Sequence, residues 1–109
     1  MKKIEINGIQ YDVIRNDDNC IDIEELKEKI TDYFDPYDYI MGDFAYEKVR
    51  LKGFYEADNK KANAINNIKK MDDYVKNYCS YGAKIFLIKK IKWKTLVINL
   101  IYDKIILYE

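Results

Sequence analysis

A chain of 109 residues, 49% of them apolar, has room for one domain with one modest core. It has no histidine and a single serine, Ser80, which excludes Ser-His and Cys-His nucleophilic catalysis and any histidine-ligated metal site. Its formal net charge of zero hides an uneven distribution: residues 1–47 hold five cations and thirteen anions, residues 48–109 fourteen cations and six anions. Either the two halves complement each other within one fold, or a basic face is open to an anionic partner.

In chain order, Ile4 to Val13 is predicted to form a hairpin. Asn7-Gly8 is the favoured pair for a two-residue turn in which both residues need positive φ. Ile4, Ile6, Ile9, Tyr11 and Val13 alternate with polar residues, as a half-buried strand pair requires. A polar loop, Arg15 to Cys20, follows. Asp22 to Phe34 reads as a helix, with Asp22 capping it and Glu25 placed to close a capping box. Ile23, Leu26, Ile30 and Tyr33/Phe34 share one face at three-to-four spacing. Pro36 restricts Asp35 to extended conformations and ends the element.

Tyr37 to Gly42 and Lys48 to Tyr55 read as two strands around a turn at Asp43 to Glu47. Glu56 to Asn67 is polar and patternless, a mobile loop or the weak start of a helix from Ile68 to Cys79. Gly82 lies just beyond, where a left-handed residue is common. Lys84 to Ile91 is apolar on both faces, which predicts a central strand. Leu96 to Tyr108 reads as two short strands forming a C-terminal hairpin, and an exposed edge there predicts a homodimer. The fold class is α+β: a mostly antiparallel sheet with two helices, in the order β-β-α-β-β-α-β plus the C-terminal hairpin.

No leader pattern opens the chain, and no run of about 20 apolar residues is present, so no membrane span is expected. Cys20 and Cys79 form no CxxC pair. The expected compartment is the cytoplasm, with both thiols reduced.

The runs DYIMGDFAYEKVRLKGFY (residues 38–55) and DDYVKNYCSYGAKIFLIKKIK (residues 72–92) resemble the YutD-like family of short proteins from low-GC Gram-positive bacteria and their relatives. The resemblance covers about residues 4–92 and leaves 93–109 as a C-terminal extension of a single domain spanning 1–109. It implies an α+β cytosolic domain and brings no catalytic residues, substrate or cofactor. The chain departs from the family pattern at Phe44, where relatives have tryptophan, and at Ala45 and Glu47, where they have glycines. It departs again at Ala83, where they often have a second cysteine. The first departures put a glycine-dependent backbone approach at the turn in doubt, and the last leaves Cys79 without a neighbouring thiol.

Arg50 stands out because this chain uses lysine almost everywhere else for a cation. Its planar fork suits phosphate or carboxylate capture, or else a bridge to Asp38 or Asp43. Asp38 and Asp43 could act as acid and base or hold a magnesium ion, but Asp43 beside Gly42 also reads as a turn former. Tyr37, Tyr39, Phe44, Tyr46, Phe54 and Tyr55 either fill the core or supply a base-stacking face beside Arg50 and Lys52. Lys84, Lys89, Lys90, Lys92 and Lys94 with Trp93 either protect an edge or track a phosphate backbone. Cys79 reads as a small buried hydrophobe.

The expected role is a non-catalytic protein-interaction or scaffold module. Its candidate surface comprises Asp43, Phe44, Tyr46, Arg50, Lys52 and Tyr55, with no metal or cofactor. The alternative is an RNA-binding or other nucleic-acid-binding protein using the aromatic and Arg/Lys surface. An enzyme acting on a phosphorylated small molecule through Asp38, Asp43 and Arg50 ranks last.

Overall fold

The computed structural model describes residues 2–92 and 101. Strands β1 (Lys3–Ile6) and β2 (Ile9–Asn16) form the first hairpin. Asn7 and Gly8 both take positive φ, 53° and 83°, as the Asn-Gly pair predicts. A bulge at Ile14 breaks the register of β2 and turns that side chain outward.

Helix α1 (Ile23–Lys29) begins where expected, with Asp22 Oδ1 accepting from the amides of Glu24 and Glu25. Glu25 reaches forward to Lys29 and leaves the capping box open. The helix ends five residues before Phe34, the predicted end. Asn7 Nδ2, from the first hairpin, donates to the carbonyls of Lys27 and Ile30. Ile30 is extended and buried, and a 3-10 turn follows at Asp32–Phe34. Asp35 is not extended as its place before Pro36 suggests. It caps that turn in the right-handed helical region, its amide donating to Asp32.

Strands β3 (Tyr39–Ala45) and β4 (Lys48–Phe54) form a second hairpin. The predicted five-residue turn shrinks to two, Tyr46 and Glu47, so Asp43 and Phe44 belong to β3. The loop 56–67 is held by its asparagines: Asn59, Asn63 and Asn66 side chains accept from nearby amides. A 3-10 turn at Ile68–Lys70 leads into α2 (Met71–Tyr78), and Gly82 takes φ 78° beyond it. Strand β5 (Lys84–Lys90) completes the sheet.

The order is β1-β2-β5-β3-β4, with every pair antiparallel. The last of the described strands is therefore the central one. Phe86 and Ile88 face the core beneath α1, with Leu26 and Ile30. Ile85 and Leu87 face the opposite core, with Met71 of α2. One helix thus covers each face, which is why β5 is apolar throughout. Gly42 lies under the Phe86 ring, where a Cβ would come within 2.0 Å of that ring. Among the described residues no helix is long and apolar enough to cross a membrane. The predicted C-terminal hairpin, its dimer edge, Trp93 and Lys94 lie outside the described residues.

Candidate functional site

The β3–β4 hairpin projects from one end of the sheet, and its turn is chemically unusual. Tyr46 and Glu47 hold φ of 54° and 64°, the left-handed region that side chains disfavour. Glycines at 45 and 47 are what the family pattern leads one to expect there, and Glu47 occupies one of the two strained positions. Tyr46 is 88% exposed at the tip.

Behind the tip, Asp43 and Arg50 oppose each other across the ladder. Asp43 is 1% exposed. Arg50 Nη2 donates to its Oδ2 at 2.9 Å, and Nε lies 3.1–3.2 Å from both carboxylate oxygens. Arg50 Nη2 also donates to the carbonyl of Tyr78, the last residue of α2, at 2.9 Å. One guanidinium thus ties β3, β4 and α2 together. Asp43 raises the Arg50 pKa further above its ordinary value by hydrogen bonding and charge. Asp43 is accordingly a buried strand residue, not a turn former, and the Arg50 bridge goes to Asp43.

Asp43, Ala45, Tyr46, Lys48, Arg50 and Ser80 line an open cleft of about 550 Å³. Tyr78 and Tyr81, on either side of the Cys79-Ser80 link, are both strongly exposed. The spacing of Met71, Tyr74/Val75 and Tyr78 puts Tyr78 on the apolar face of the predicted helix, and it is exposed instead; neither Tyr81 nor Ser80 emerged as a site candidate. The signal available was a pair of tyrosines flanking a helix end before Gly82, and only the sheet order brings that end against the β3–β4 hairpin.

The six candidate residues separate. Asp43, Tyr46 and Arg50 line the cleft. Lys52 shares their face of β4, its Nζ 5.5 Å from the Phe54 ring centroid and 5.9 Å from that of Tyr74. Phe44 points to the opposite face and packs against the core beneath α1. Tyr55 is buried and stacks on Tyr37 at 4.7 Å. Tyr39 packs against the α2-side core, so the aromatic set divides between two faces and makes no continuous stacking platform.

Asp38 lies just before β3, five residues from Asp43 and about 17 Å away at the usual strand rise. Its Oδ2 accepts from the Glu56 amide at 2.8 Å and from Asn59 Nδ2 at 3.0 Å, which anchors the 56–67 loop. The two carboxylates therefore do not act together. Lys84 pairs with Asp18, Lys89 pairs with Glu56, and Lys90 donates to the Asp35 carbonyl. Burial raises the thiol pKa of both Cys79 and Cys20, so neither is an activated nucleophile. Among the described residues no group of three or more Cys, Asp or Glu is placed to hold a metal.

Comparison with known proteins agrees with this architecture. The family model described as "Putative antitoxin YutD-like" matches residues 5–89. The "Putative antitoxin YutD" of Bacillus subtilis (strain 168) is 34% identical over 87 residues, which is 80% of this chain and 96% of the relative. The solution NMR structure of protein yutD from B. subtilis superposes with a TM-score of 0.67 at 33% identity, covering 84% of each chain. The β3–β4 hairpin, α2 and all of the central strand but Lys90 fall inside the matched residues 5–89, and the chain belongs to the YutD-like family.

Proposed function

We propose that this chain is a small, non-catalytic protein-binding module whose contact surface is the sheet end formed by the β3–β4 hairpin and the segment after α2. One observation carries the reading: Tyr46 is exposed on the wall of a cleft it shares with the Asp43–Arg50 bridge and Ser80, and Tyr78 and Tyr81, which flank Ser80 in the chain, are exposed as well. Tyrosine offers large contact area at a small entropic cost, and it is enriched where proteins meet. Asp43 and Arg50 in the cleft wall are engaged with each other and with the Tyr78 carbonyl, which favours a supporting role for them over a chemical one. The wording of the B. subtilis relative's name, an antitoxin, fits a partner-binding role and makes a toxin the first partner class to test. The proposal places the chain in the cytoplasm, with Cys20 and Cys79 free.

The nucleic-acid alternative rests on the basic second half of the chain. Several of those cations are engaged within the fold: Arg50 with Asp43, Lys84 with Asp18, Lys89 with Glu56. Two of these pairs, Arg50–Asp43 and Lys84–Asp18, join the basic half to the acidic one, and the aromatic set is divided between two faces, so a protein partner is the stronger reading.

Site-resolved photocrosslinking in cells tests it. A photoreactive phenylalanine analogue at position 46 or 81 is expected to trap one common partner. The same analogue at Tyr33, exposed on the α1 side, is expected to trap none. Adducts at 33 alone, or nowhere, would remove the proposal. A mixed RNA pool titrated at low and high salt is expected to show no binding, and a salt-sensitive affinity would favour the alternative.

A further inference from the structure

Among the described residues strand β4 is an edge of the sheet, and its residues alternate sharply. Lys48, Arg50 and Lys52 occupy one face, while Val49, Leu51 and Gly53 turn to the other. The two-residue turn makes Ala45 and Lys48 a hydrogen-bonded pair, so the backbone groups of Val49, Leu51, Gly53 and Tyr55 point away from β3. Two contacts agree with that parity. The Val49 carbonyl accepts from Lys29 Nζ, and Tyr55 makes a parallel bridge to Asn67, its amide donating to Asn66 and its carbonyl accepting from Ile68. The chain thus begins to extend the sheet beyond β4 and stops after one bridge. Among the described residues the outward groups of Leu51 have no backbone partner.

On the cationic face Lys48 is exposed, while Lys52 is half-buried over the Phe54 and Tyr74 rings. Among the described residues Lys48 and Lys52 pair with no carboxylate, and Arg50 has only Asp43. A second copy of this chain is a poor occupant. Two β4 edges related by a twofold axis would set cation row against cation row on one continuous face, and like charges directly opposite are unfavourable. An incoming strand with acidic residues at alternate positions meets the opposite condition. Its carboxylates would lie beside Lys48, Arg50 and Lys52, next to the cleft.

Resting on the protein-binding reading above, we propose that the partner engages by strand addition: an extended segment with acidic residues at every second position pairs with the β4 edge at Val49–Leu51. Main-chain bonds supply attachment, and the cation row selects the partner.

Amide exchange of the full chain, followed residue by residue, tests this with two synthetic peptides of about ten residues, one alternating Glu and Val, the other Lys and Val. The Glu peptide is expected to slow exchange at Leu51 by about tenfold or more near saturation. The Lys peptide is expected to leave it unchanged. Lys48→Glu, at an exposed position, is expected to abolish the protection, and Lys48→Arg to retain it. Equal protection by both peptides, or none by either, would overturn the proposal. Slow exchange at Leu51 before any peptide is added would also overturn it, because residues 93–109 or a second copy would then hold the edge. Crosslinks at positions 46 and 81 without protection at Leu51 would reject strand addition alone, whereas absence of both would reject the protein-binding reading with it.

Discussion

The buried carboxylate of Asp43 is neutralised by a guanidinium that is itself mostly in water: Arg50 and Asp43 meet at 2.9 Å with side-chain exposures of 57% and 2%. The asymmetry predicts unequal mutants. Arg50→Ala strands a charge inside the sheet and also releases the Tyr78 carbonyl, whereas Asp43→Asn keeps the shape and leaves an arginine free to turn into solvent. Arg50→Ala is therefore expected to lower the urea midpoint more than Asp43→Asn does. The double variant should recover part of the loss. A double variant no better than Arg50→Ala would show that the bridge is not the origin of the effect.

The strained turn makes a second prediction. Glu47→Gly relieves a left-handed side chain, at the cost of extra freedom in the unfolded state. Net stabilisation of about 1 kcal/mol is expected, read as a higher urea midpoint at constant slope. Tyr46 stays in place, so partner capture should persist. No gain in stability would contradict the positive φ at Glu47.

Two glycines sit under aromatic rings, and they should respond differently to alanine. At Gly42 the new methyl would meet Phe86, which is 1% exposed and locked in the core. At Gly53 it would meet the ring of Tyr37, which is half-buried and stacked on Tyr55 but less enclosed than Phe86. Gly42→Ala is expected to cost about 3 kcal/mol and Gly53→Ala about 1 kcal/mol. Chemical denaturation of the two variants side by side checks the order, and a reversed order would contradict the packing described.

Much of this frame was legible in the residues. Asn7-Gly8 announced its turn, and β5 declared itself central by being apolar on both faces. What escaped were features set by distant parts of the chain. The early end of α1 depends on Asn7, more than twenty residues upstream. The length of β3 depends on a turn built without an Asn-Gly or Asp-Gly pair, so no local signal marked it. Arg50 stands out in a lysine-rich sequence, and its bridge goes to Asp43, one of the two carboxylates its position offers. The burial of Asp43 follows from the α2 layer lying above it, which periodicity alone does not reveal. The part of the site contributed by Tyr78, Ser80 and Tyr81 exists only because β5 inserts between β2 and β3.

Alkaline pH should weaken the fold. The Tyr33 hydroxyl bond, with burial, pushes Tyr37 up to about 12 from its ordinary 10.0. Burial also raises Tyr11, Tyr39 and Tyr74. Below the ordinary tyrosine value both states stay protonated and stability is unaffected. Above it the unfolded chain releases protons that the folded chain retains, so stability falls as pH rises from about 10 to about 12. Urea midpoints measured between about pH 8 and about pH 11 should decline, and less steeply in Tyr33→Phe. A flat profile would contradict these shifts.

The most direct test of the central claim is the affinity of the partner trapped through position 46, measured by calorimetry for the wild-type chain and for Tyr46→Ala. Tyr46 touches little of its own fold, so its loss should leave the thermal midpoint in place while weakening binding by about tenfold or more, as expected of an exposed aromatic anchor. An unchanged dissociation constant would contradict the assignment of this sheet end as the interaction surface.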